Sequence, residues 1–140
     1  MRICLADYTM DREKVYGKEF TEEIKSNAEK TVALTNALLN VLETAGIPLE
    51  AHPVNRSVVA SGWRPPQINR QVPNAALRSK HMTAQAIDLY DPDGLIDEYL
   101  LAHPEPLHAL GLYQEHPSAT KGWAHVQIVP PKSGRRVFYP

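Results

Sequence analysis

Ser79-Lys80-His81-Met82-Thr83-Ala84-Gln85-Ala86-Ile87-Asp88 is the stretch on which the reading of this chain turns. From Gln85 to Tyr90 the alternation predicts a strand. It puts Ala86 and Asp88 on one face, with Ile87 and Leu89 on the other. His81 lies in the loop just before that strand and can reach back over it. Downstream, Gly122-Trp123-Ala124-His125-Val126-Gln127 alternates so that Trp123, His125 and Gln127 share a face. If the two strands are neighbours, Asp88 and His125 come together and His81 joins them. A His, a carboxylate and a second His are ligands that Zn²⁺ accepts, and a catalytic zinc site keeps a further position for water. Spacing alone leaves the plainer reading beside this one, that the histidines serve the core or the surface.

Working outward, Thr21-Glu22-Glu23 supplies a cap and an acidic first turn for a helix. Ile24, Ala28, Thr31/Val32, Thr35, Leu38, Leu39 and Leu42 then recur at helical steps. Gly46 and Pro48 end the helix near Ala45. Val54 to Ser61 reads as a strand centred on Val58-Val59-Ala60, broken by Pro65-Pro66. Gln67 to Pro73 reads as a short helix or loop. Asp91-Pro92-Asp93-Gly94 is a turn that opens a helix from Leu95 to Ala102, and a shorter helix is expected to run to Leu110. Leu112 to Gln114 and Gly122 to Val129 read as two strands joined by a loop at Pro117-Ser118. Val137-Phe138-Tyr139 is a candidate edge strand. Helices around a cluster of hairpin-connected strands argue for an α+β fold.

The composition bounds the rest. A chain of 140 residues is expected to be one domain, 1–140. With 43% hydrophobic and 22% charged residues it is ordinary globular material. A net charge of −1 gives no electrostatic case for nucleic acid or an anionic membrane. Cys4 stands alone, so no internal disulfide forms. No apolar run approaches the ~20 residues that span a bilayer. Arg2 is followed only by Ile3-Cys4-Leu5-Ala6 before Asp7, which is no signal-peptide layout. The expectation is synthesis in the cytoplasm and action as a monomer.

The Ser79–Asp88 stretch resembles the signature of the M15 metallopeptidases, the D-alanyl-D-alanine carboxypeptidase and L-alanyl-D-glutamate endolysin family. Ser79, His81, Ala86 and Asp88 match Ser-x-His-x-x-Gly-x-Ala-x-Asp in register, and Trp123-Ala124-His125 matches its later Trp-x-His. Ser61-Gly62-Trp63-Arg64 resembles the family's Ser-Gly-aromatic-Arg segment. Pro130-Pro131-Lys132-Ser133-Gly134-Arg135-Arg136-Val137 is similar to the tail of short phage members. The resemblance implies a hedgehog/DD-peptidase fold with one zinc ion on His81, Asp88 and His125. It also implies that Arg64 grips a substrate carboxylate or carbonyl oxygen and that Ser79 positions substrate backbone. Trp123 and Gln127 complete the expected substrate-binding set. The substrate it implies is a peptide of bacterial peptidoglycan, cut by a phage lysis enzyme that another factor releases from the host cytoplasm.

Three departures qualify that picture. The family Gly within the signature is Ala84, acceptable if the backbone there does not need φ > 0. The acid of Glu-x-x-His is Gly122, and the acidic position that other members use after the last His is Gln127. Glu115, or His116 beside it, is the substitute base, provided that Leu112–Glu115 and Gly122–His125 form a hairpin. The plain alternative for these two is a polar hairpin end. The competing function is a catalytically inactive zinc protein that binds cell wall or peptide on the same fold; a zinc amidase is a third, weaker reading.

Overall fold

The computed structural model describes Met1–Pro140. Its longest element is the helix the apolar spacing predicts, and two short helical pieces precede it. The first is α1 (Leu5–Thr9) and the second a 3₁₀ turn at Arg12–Lys14. The long helix is α2 (Glu22–Thr44). Thr21 Oγ1 accepts the Ile24 N–H (3.2 Å) at its start. At its end Gly46 adopts φ +80°, and the Ile47 N–H closes onto the Leu42 carbonyl (2.9 Å). Ala28, Thr31, Thr35, Leu38, Leu39 and Leu42 form its buried face.

Five strands follow, β1 (Val59–Ser61), β2 (Ala86–Asp91), β3 (Tyr113–Glu115), β4 (Gly122–Gln127) and β5 (Val137–Phe138). They form one sheet in the order β1-β2-β4-β3-β5. Three further helices interrupt them, α3 (Pro66–Asn69), α4 (Leu95–Ala102) and α5 (Glu105–Leu110). The fold is α+β. No helix is long and apolar enough to cross a membrane.

The sheet departs from the expected chain of hairpins. β1–β2 and β3–β4 are the consecutive, paired neighbours, the first pair joined through α3; β2 reaches β4 only after α4, α5 and β3 have intervened. β5 is an edge strand as the tail predicts, but it runs parallel to β3. The strand expected from Val54 shrinks to Val59–Ser61. His52 Nδ1 accepts the N–H groups of Val54 and Asn55 (both 3.2 Å), and Arg56 turns left-handed at φ +59°. That local turn holds Val54 out of the sheet, 80% exposed. The register of β1 on β2 then shifts between Val59, opposite Leu89, and Ser61, opposite Asp88.

The two sheet faces differ. Ile87, Leu89, Ala124 and Val126 are fully or almost fully buried in the core that includes Leu38, Leu39 and Leu42 of α2. Asp88, Tyr90, Trp123, Tyr113 and Glu115 on the opposite face are half-buried. α1, which the sequence reading left unassigned, is clamped to the sheet. The hydroxyl of fully buried Tyr8 donates to the Ala86 carbonyl (2.7 Å), and burial pushes its pKa far above the ordinary phenol range. A buried polar knot ties α4 to β3. Gln114 Nε2 donates to Asp97 Oδ1 (2.9 Å), and Thr120 Oγ1 donates to Asp97 Oδ2 (2.6 Å). Asp91 also caps α4, its two carboxylate oxygens accepting the N–H groups of Ile96 and Asp97 (both 3.0 Å).

Gly62, just after β1, has no room for a side chain. A Cβ there overlaps the carbonyl oxygen of Tyr8. Gly62→Ala is expected to destabilise the fold by about 3 kcal/mol, read as a lowered denaturation midpoint with an unchanged urea m-value.

Candidate metal centre

β2 and β4 pair antiparallel with Asp88 directly opposite His125. Side chains of a directly opposed pair project from the same face. His81 arrives from the loop before β2. One ligand atom from each of His81, Asp88 and His125 lies within 4.8 Å of the others. Asp88 Oδ1 is 2.9 Å from His125 Nδ1 and 3.3 Å from His81 Nε2. The His81 side chain is 2% exposed, while Asp88 and His125 keep 14% and 11%, so solvent reaches the cluster past Asp88 and His125 and not past His81.

The hydrogen bonds around the rings decide what this cluster can hold. His81 Nδ1 faces the Gly62 carbonyl (2.8 Å) and therefore carries its proton there. Burial lowers the pKa of His81 despite the attraction of Asp88, which favours a neutral ring. The remaining Nε2 lone pair then looks at a carboxylate oxygen, an arrangement that calls for a cation between them. His125 is similar. Its Nδ1 faces Asp88 Oδ1 and its Nε2 faces Gln127 Oε1 (3.0 Å), so both ring nitrogens meet acceptors. A neutral ring can donate to only one of them. A metal ion at Nδ1, with the Nε2 proton given to Gln127, satisfies both contacts. Without a metal, burial would lower the His125 pKa, but its contacts with Asp88, Gln127 and Glu115 raise it overall. For Asp88 burial pushes upward, yet the two histidines hold it well below the usual carboxylate range. An anionic carboxylate between two aimed imidazoles fits a divalent cation.

Gln127 was expected to bind substrate. The structure buries it and uses both ends of its amide, Oε1 on His125 and Nε2 on the Val129 carbonyl (3.0 Å). It orients a candidate ligand, as hydrogen-bonded partners of metal-binding histidines do. A polar residue one strand period after His125 was the signal available in the sequence. Ser79 is also occupied within the chain. Its Oγ accepts from Arg64 Nη2 (3.3 Å) and from the His81 N–H (3.2 Å). The Arg64 N–H donates to the His81 carbonyl (3.0 Å), so Ser79, Arg64 and His81 form one linked unit. Trp123 is half-buried on the His125 face, opposite Tyr90.

The hairpin required for Glu115 is present, with Tyr113 opposite Gln127 and Gln114 opposite Val126. Alternation puts Glu115 on the face of Tyr113, Gln127 and His125. Its pKa is raised, first by burial and further by Asp88 and Asp97, with His125 opposing. Glu115 thus feels the charges of the centre. His116 is committed differently. Its Nδ1 accepts the Ser118 N–H (3.1 Å), and its ring stacks on Tyr139 at 4.5 Å. Gly122 has no side chain to take a proton, and at φ +98° any side chain placed there would be strained. Ala84 does occupy a left-handed position, φ +58°, so the condition for replacing the family Gly without strain is not met. Its carbonyl accepts from Thr31 Oγ1 (2.8 Å), and its methyl is fully buried beneath α2. His52, lying edge-on to Tyr90, and His103, stacked on Tyr99, take structural places.

No known protein family, curated protein or solved structure matches this chain.

Two outcomes follow for metal binding. Gln127→Ala is expected to weaken affinity for a divalent cation by roughly 10- to 100-fold without unfolding the chain, measured by competition with a chelating dye. A divalent cation at His125 must displace the proton that this ring holds more tightly than an ordinary histidine, so affinity should rise steadily from about pH 5 to about pH 8. Calorimetry in buffers of different ionisation enthalpy should show proton release on binding near the lower end of that range.

Proposed function

We propose that this chain is a zinc peptidase of the M15 kind with a hedgehog/DD-peptidase-like fold, acting on peptides of bacterial peptidoglycan as a phage lysis enzyme. One observation carries the metal part of this reading: two histidines that each turn one ring nitrogen to an acceptor, Gly62 or Gln127, and the other toward one oxygen of Asp88. The peptidoglycan and phage parts rest on the matched segments around Arg64, His81, His125 and the tail.

His81, Asp88 and His125 would hold the ion. A bound zinc ion acidifies water and polarises a peptide carbonyl. Glu115, placed on the same sheet face with its affinity for protons raised, accepts a proton from the attacking water. The same carboxyl then passes it to the leaving amine. Arg64, buried and linked through Ser79, presents fixed positive charge toward the developing oxyanion. Trp123 supplies an aromatic wall on the substrate side.

A left-handed Gly122 at the position of the family acid favours a second reading, a zinc protein that binds wall peptides without cutting them. Glu115 separates the two. Purified peptidoglycan should release defined peptides, identified by mass spectrometry. His125→Ala should lose metal and activity together. Glu115→Gln should keep its zinc and lose about 10²- to 10⁴-fold in turnover. Stoichiometric zinc with no product from any wall preparation would overturn the peptidase reading in favour of the binding one.

A further inference from the structure

The last strand of the chain ends on the metal centre. β5 is only two residues long, and its alternation sends Val137 and Phe138 to opposite faces of the sheet. Val137 packs against the hydrophobic core. Phe138 lies in register with Glu115, on the face of Asp88 and His125, and is buried there. Its ring stands edge-on to that of His125, at 83° with centroids 6.1 Å apart.

Four neighbours then fix the His125 ring. Asp88 and Gln127 meet its two nitrogens (2.9 and 3.0 Å). His81 and Phe138 meet it with their own rings, His81 at 66° with centroids 5.2 Å apart. An imidazole turns readily about the bond that joins it to Cβ, because that torsion has only broad preferences. A cation taken up between Asp88 and His125 ends their direct hydrogen bond, and with it one of the two in-plane restraints. Packing then carries more of the orientation, and Phe138 is the packing neighbour that is not itself a candidate ligand.

Phe138 depends in turn on β5 staying in place. The Gln114 N–H donates to the Arg136 carbonyl (2.8 Å), and the His116 N–H donates to the Phe138 carbonyl (2.7 Å). Side chains add to these bonds: Arg136 lies over the Tyr113 ring at 4.3 Å, and Tyr139 stacks on His116 at 4.5 Å. An edge strand held by so few backbone bonds opens more easily than the sheet interior. A ligand that favours the docked strand holds it down by the same free energy that the strand lends to binding.

We propose that Phe138 is a positioning residue of the metal centre: from β5 it holds the His125 ring in its coordinating orientation, so that docking of the C-terminal strand and uptake of a divalent cation stabilise each other. The inference rests on the metal reading of His81, Asp88 and His125, and adds to it a residue that touches no ion.

The test titrates Zn²⁺ into the metal-free full chain in competition with a chelating dye, and follows amide exchange with and without the ion. Phe138→Ala should weaken zinc binding by about tenfold while the chain stays folded. Phe138→Leu, which keeps most of the bulk, should recover part of that loss. Val137→Ala, on the other face of the same strand, should lower the urea midpoint yet leave zinc affinity within about twofold of wild type. In the wild type zinc should slow exchange at the Gln114 and His116 amides, and in Phe138→Ala it should leave both near their metal-free rates. The proposal is overturned if Phe138→Ala binds zinc as the wild type does, if Val137→Ala weakens binding equally, or if zinc leaves the two wild-type amides unprotected. Zinc uptake that ignores Phe138 removes this inference and spares the metal reading; a wild type that takes up no zinc removes both.

Discussion

The pairing of Asp88 with His125 across β2 and β4 is the contact on which the rest of this structure depends. It sits in the interior of the sheet, and its register is enforced from the other face. Ile87, Leu89, Ala124 and Val126 pack in the core with α2. A slip of one residue would turn Asp88 into that core and expose its apolar neighbours. The hydrophobic pattern that stabilises the sheet thus also protects the geometry of the polar cluster. A carboxylate and an imidazole at 2.9 Å are held by packing they do not themselves make.

Around that pair the chain invests hydrogen bonds in orientation. Gly62, squeezed against the Tyr8 carbonyl, turns its own carbonyl to His81. Gln127 performs the matching task for His125, and Ser79 joins Arg64 to the backbone of His81. Each link restricts a group whose direction matters for binding a cation or an oxyanion. The cost is visible elsewhere, in a left-handed Ala84 and a buried Arg64 Nε without a partner. Such local conflicts gather where function outweighs stability.

Much of this was legible from residue types and short spacings. The helix of Glu22–Thr44 followed its apolar stripe, the turn at Asp91–Gly94 opened α4 as read, and β2 and β4 present their predicted faces. Glu115 was placed on a hairpin with β4, and the structure has that hairpin. One strand was read too long and one helix was left unassigned. Val54 lies in a turn that His52 caps through its ring nitrogen, and α1 is a short helix stabilised by distant contacts from Tyr8. The hydrogen bond from Gln127 to the Nε2 of His125 was not legible, because that partner is chosen only when the ring orientation is set.

The sequence by itself determined the chemistry of the candidate ligands and the sheet face each would occupy. Strand periodicity is a local property, carried by successive residues whatever the rest of the chain does. Tertiary structure alone decided that β2 lies beside β4 and not beside β3, that β5 runs parallel, and that Arg12 meets the Trp63 carbonyl. It also decided which ring nitrogen of each histidine is left to face Asp88. These are choices among partners far apart in sequence, and the packing of α1 and α2 against the sheet makes them.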